Sequence, residues 1–236
     1  MAQGDKTAYV GGPEVEGFNV TSKRWDALGS WEKIPFKYDA VWQMAPAVAK
    51  HPVTEDVYVA GNYQFARWNA KDGTWDMLLS YPINPAAVNH TDSARGILWN
   101  DRGSLIDPKR NRFVLLSDGA EWDQTFMRLE YLDLATNKNL FLNVTGAITP
   151  DKFSIESAFI YDPDNDRYIV FMYRGDNKPI DLYSIDPDTG MSTLLMAGLG
   201  PAPVWGLFNR AAYFEKLGGI AYLPNYSSNV LFLPTR

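Results

Sequence analysis

Ten side chains in this sequence combine the types and spacing from which a recognition site could be built: Trp42, Gln43, Trp99, Asn100, Asp101, Arg102, Glu156, Trp205, Asn209 and Arg210. Tryptophan rings offer flat apolar surfaces to the faces of a sugar ring, while Asn, Gln, Asp, Glu and Arg supply the paired donors and acceptors that hydroxyl groups need. Such a set suits a small polar ligand or a glycan. Two of its members, Asp101 and Glu156, are also the candidate acid and base of a glycoside-active hydrolase or lyase, which requires two carboxylates in unequal surroundings. The competing reading is structural, with the tryptophans packing between sheets and the Asp-Arg and Asn-Arg pairs satisfying strand ends.

Other chemistries are thin. There is no cysteine, so disulfides, thiolate metal sites and Cys nucleophiles are ruled out. Only His51 and His90 are present, one in a short turn and one alone in a loop, so neither a two-His metal site nor a Ser-His-Asp triad is visible. The aspartates of DPDND (162–166) and DPDTG (186–190) lack the spacing of a calcium loop and read instead as turn formers. Glu121, Trp122 and Asp123 read as a solvated loop tip as readily as a ligand contact. No metal or cofactor is expected, and the balance leans toward a binding protein rather than an enzyme.

The elements that must position these residues are legible from self-similarity. Segments 47–60, 104–116, 158–171 and 211–224 each consist of an apolar run, a polar turn and a second apolar run, with turns at Pro52, Pro108, Pro163 and Lys216, so the steps are 56, 55 and 53 residues. Each pair leads into two further alternating runs punctuated by Asp-Pro, Asp-Gly or Thr-Gly, which makes a four-stranded antiparallel meander, A to D. No segment carries a 3.6-residue stripe, so helix is expected to be nearly absent. Packing such meanders around an axis buries faces that a lone meander would expose. The expectation is an all-β β-propeller of about five blades in a single domain, 1–236, with units at 7–28, 45–79, 98–142, 155–196 and 210–233.

The first unit starts with TAYVGG, which aligns with DVYVAGN of the second and is followed at a distance by Arg24-Trp25; Gly61 and Gly119 follow later B strands. In these features the chain resembles the kelch and galactose-oxidase-like propeller superfamily. The resemblance implies architecture only, because the copper centre of galactose oxidase needs a Cys-modified Tyr. The first unit lacks an A strand and the last an obvious D, so either the ring closes with three-stranded blades or exposed edges recruit another copy or a missing segment of a longer protein.

In a propeller the short A–B and C–D turns lie at one end of the blades and the D–A and B–C loops at the other. The ten candidate residues cluster at the entrances to the A strands, at the loop end. The expected function is therefore recognition of a carbohydrate or a protein partner through that end, with a structural or assembly role as a further alternative. A net charge of −6 gives no basic field for nucleic acid, and no apolar run reaches the 18 residues of a membrane span. Four Asn-X-Ser/Thr sequons, at Asn19, Asn89, Asn143 and Asn225, point to an exported, extracellular protein that carries glycans, any leader having been removed.

Overall fold

The structure is a computed structural model that describes residues 2–3, 14–15, 18–19, 23–25, 47–61, 64–80, 103–117, 127–154, 156–175, 177–200, 203, 206–207, 210–225 and 227–236. They form two compact units, Met1–Asn100 and Asp101–Arg236. Among the described residues there is no α-helix, only strands and the 3-10 turns Pro150–Lys152 and Glu215–Leu217.

In the first unit, β1 (Ala2–Gln3) pairs with β2 (Glu14–Val15), and β3 (Phe18–Asn19) forms a hairpin with β4 (Arg24–Trp25). A four-stranded meander follows in the order β5 (Ala47–Lys50), β6 (Val57–Gly61), β7 (Gln64–Asn69) and β8 (Thr74–Ser80). Its register sets Trp68 opposite Trp75, the rings meeting edge to face at 5.5 Å, and Arg67 opposite Asp76 in an ion pair of 2.5 Å. These cross-strand pairs fix the register of a sheet whose alternation would otherwise permit slippage.

The second unit holds three sheets. The first is a meander of β9 (Ser104–Asp107), β10 (Arg112–Ser117), β11 (Arg128–Asp133) and β12 (Lys138–Asn143). The second runs β14 (Ala158–Asp162), β15 (Arg167–Met172), β16 (Ile180–Ile185), β17 (Met191–Leu199), and its outer edge gains a fifth strand, β13 (Thr145–Gly146), parallel to β17. The third has three strands, β18 (Ala211–Phe214), β19 (Gly219–Tyr222) and β20 (Leu231–Pro234). The four larger sheets overlap the units expected at 45–79, 98–142, 155–196 and 210–233, and the last has three strands among the described residues. Within the unit expected at 7–28 the described residues are β2, β3, β4 and Lys23, and the strand β13 was not foreseen.

The middle sheet of this unit explains why strand B reads as a continuous apolar run. Tyr168, Val170 and Met172 face one core with Phe159 and Tyr183, shared with Leu105, Val114, Leu116 and Leu129 of the preceding sheet. Ile169 and Phe171 face the opposite core with Ala158 and Leu182, shared with Ala211, Ile220 and Tyr222 of the following sheet. Alternate residues thus serve two cores, the signature of sheets stacked face to face. The A strands β9, β14 and β18 are neighbours in space, so the three sheets meet along their first strands.

One device builds six hairpins of the described residues. A side-chain acceptor at the first turn position takes the backbone N–H groups two and three residues on: His51 from Val53 and Thr54, Asn69 from Lys71 and Asp72, Asp107 from Lys109 and Arg110, Asp133 from Ala135 and Thr136, and Asp186 from Asp188 and Thr189. Asp162 takes the N–H of Asp164. Four residues after each acceptor the chain turns left-handed, at Glu55, Gly73, Asn111, Asn137, Asp166 and Gly190. These are Asx-type turns closed by an αL residue, a conformation that Gly, Asn and Asp adopt at least cost. Asn19 and Lys23 (φ 54°) repeat the four-residue spacing in the β3–β4 hairpin.

Candidate functional site

Of the ten side chains that the sequence singles out, Glu156 and Arg210 fall among the described residues; Trp42, Gln43, Trp99, Asn100, Asp101, Arg102, Trp205 and Asn209 lie outside them. So do His90, Glu121, Trp122 and Asp123. Glu156 stands two residues before β14 and Arg210 immediately before β18. The strand entrances are tied together through Leu207, whose N–H donates to Glu156 O at 2.7 Å and whose carbonyl accepts from Arg210 N at 2.9 Å. The Arg210 guanidinium is anchored by Nη1 donating to Pro224 O at 3.1 Å.

The third entrance is Gly103, and here the packing is tight enough to dictate the residue. A Cβ at this position would lie 2.6 Å from Ser157 O and 2.8 Å from Phe159 Cβ. The neighbouring strand is itself pinned, since buried Ser157 Oγ accepts from Tyr173 N at 3.0 Å. Sequence reasoning missed Gly103, although a glycine directly before an A strand is the signal of close backbone approach.

Tyr222 adds a feature that the sequence does not disclose. It ends β19 opposite Ala211, its ring stacks on Phe171 at 4.8 Å, and its hydroxyl is buried without a hydrogen-bond partner. Burial raises its pKa to about 12, and the Arg210 charge opposes that rise.

The opposite end of the sheets is ordered differently. Arg110, in the β9–β10 turn, pairs with Asp166 in the β14–β15 turn at 2.8 Å, with Asp188 in the β16–β17 turn at 2.7 Å, and with Asp107 at 3.2 Å. Lys109 also pairs with Asp166, and Tyr161 donates to it at 2.9 Å. Fully buried Asp107 accepts from Tyr168 OH at 2.7 Å. Hydrogen bonds from Arg110 and then Lys109 hold the Asp166 carboxyl well below the usual carboxylate range, and Arg110 does the same for Asp188. Asp164 is held at about 2 by Thr235, Tyr213 and Arg236, which clasp the C-terminal strand to the same turn.

These aspartates are therefore turn caps and ion-pair partners. Among the described residues no group of three or more His, Asp or Glu is arranged to hold a metal ion. His51 likewise serves its turn, its pKa lowered by burial against an opposing pull from Asp56. No helix among the described residues is long and apolar enough to cross a membrane.

Consecutive antiparallel sheets meeting along their first strands define an all-β protein of β-propeller type. No protein-family model matches the chain, and no curated protein matches it in sequence. Among solved structures it is similar to a structural-genomics protein of unknown function from Bacteroides thetaiotaomicron, at 11% identity and a TM-score of 0.53, over 90% of this chain and 47% of that one. It is also similar to a GH74 enzyme from Niastella koreensis, at 13% identity and a TM-score of 0.50, over 82% of this chain and 30% of that one. The chain thus spans less than half the length of either structure, and at these identities the likeness is one of fold.

Proposed function

We propose that this protein is a binding module that recognises a carbohydrate through the loop end of its sheets, where the D–A and B–C connections gather. The observation that carries the reading is the pairing of entrances: a carboxylate, Glu156, and a guanidinium, Arg210, on neighbouring A strands joined through Leu207. Charged groups of opposite sign at adjacent strand ends supply the donors and acceptors that a polyhydroxylated ligand requires. At the turn end, Arg110 is committed to Asp107, Asp166 and Asp188.

In the finer reading the repeats are kelch-like and five in number. The Asn19–Lys23 turn supports a first repeat at 7–28, since it reproduces the acceptor-to-αL spacing of the later C–D turns. Export to the cell exterior completes the proposal, in keeping with a glycan ligand.

The test is a glycan array followed by calorimetry on any hit. Asp101→Ala and Glu156→Ala are expected to keep the wild-type melting temperature and to abolish binding. Unchanged binding in both variants overturns the assignment, and a protein captured in place of a glycan with the same variant sensitivity replaces the ligand class.

A further inference from the structure

Among the larger sheets of the described residues, the β18–β20 sheet is the one with an open face. In strands β6, β10 and β15 successive residues point to opposite faces, and both members of the pairs Val59 and Ala60, Phe113 and Val114, and Ile169 and Val170 are buried. In the last sheet Ile220 and Tyr222 are buried in the core shared with the preceding sheet, whereas on the other face Phe214 and Phe232 are 46% and 45% exposed. The cross-strand register lays out that open face: Ala212, Ala221 and Phe232 make one row, and Phe214, Gly219 and Pro234 the next. None of these side chains is charged. The Phe232 ring leans over Gly219, where a Cβ would lie 2.5 Å from its Cζ.

Phe214 and Phe232 stand at opposite corners of this grid, and the placement makes the face complementary to itself. A two-fold axis in the plane of the face and across its strands exchanges the two rows. Phe214 then falls on Ala212 of a second copy and Phe232, leaning over Gly219, falls on Ala221, so each ring meets a small residue and not another ring. No like charges are brought together, and a two-fold contact closes at two copies. We infer that this protein self-associates as a face-to-face dimer through the open face of its β18–β20 sheet, repeating between copies the stacking found between sheets inside the unit. A three-stranded face is small beside the about 800 Å² per partner of a standard interface, so the dimer is reversible and concentration-dependent.

Sedimentation velocity on the whole chain, from about 1 to about 300 µM, reads the association directly. The mass is expected to rise from that of one chain toward that of two and to stop there. Phe214→Lys puts an unpartnered charge inside the closed contact and should raise the dimer Kd about tenfold or more with an unchanged melting temperature. Should that variant fail to fold, Ala212→Asp, at the exposed position that Phe214 meets, decides in the same way. Leu195→Lys, on the exposed edge strand β17, should leave the dimer intact. A single-chain mass throughout the range, a mass that climbs past two chains, or a dimer that survives Phe214→Lys or is lost in Leu195→Lys overturns the inference.

Discussion

The two ends of the second unit's sheets are built from the same residue types and use them in opposite ways. At the turn end the ionic contacts among the described residues close on themselves: Arg110 answers Asp107, Asp166 and Asp188, and Arg236 answers Asp164. At the loop end the buried phenol of Tyr222 has no hydrogen-bond partner. Charge alone therefore does not locate a functional surface. The acidic residues of the turn end are committed to the fold.

The contrast can be broken first at the turns. Gly190 is left-handed at φ 72°, and a Cβ there would collide with the carbonyl of Asn143, the residue that leads into β13. Gly190→Ala is expected to cost about 3 kcal/mol or more in chemical denaturation, from αL strain and overpacking together. A smaller effect should follow from Arg110→Ala. Its guanidinium is only 11% exposed, between a fully buried Asp107 and partly exposed partners, so its loss should cost roughly 2 kcal/mol, between the ranges for buried and surface pairs. Both variants should leave ligand binding intact wherever the protein remains folded.

Acid sharpens the same comparison. Asp164, Asp166 and Asp188 have folded pKa values below their unfolded ones, so the stability they contribute is complete above about pH 4 and is lost as pH falls toward about 2. The wild-type melting temperature should hold down to about pH 4 and fall steeply below it. In Arg110→Ala that fall should be shallower, because Asp166 and Asp188 lose the partner that depresses them.

Much of this architecture is readable in the chain. Asp-Pro and Asp-Gly turns announce the hairpins because their side chains cap the turn, and the run YIVFM announces a strand buried on both faces. Other parts leave no pattern to read. The pairing of β13 with β17 spans two residues, too few for periodicity, and depends on Ser192, which donates to Thr145 O at 2.5 Å and accepts from Ile148 N at 2.9 Å. His51 acts as a turn cap although imidazole is not the usual capping group. Glu156 and Arg210 were identifiable from their place before A strands, whereas Tyr222 reads as an ordinary core aromatic. Its hydroxyl becomes conspicuous only in the folded structure, where it is buried without a partner.

The central claim is that recognition belongs to the loop end and the turn end is structural. The most direct measurement is calorimetric titration of one glycan into Glu156→Ala and Arg110→Ala, each at a temperature where both are folded. The account predicts that Glu156→Ala loses binding while Arg110→Ala keeps the wild-type affinity. The reverse pattern, with affinity lost in Arg110→Ala and kept in Glu156→Ala, would contradict it.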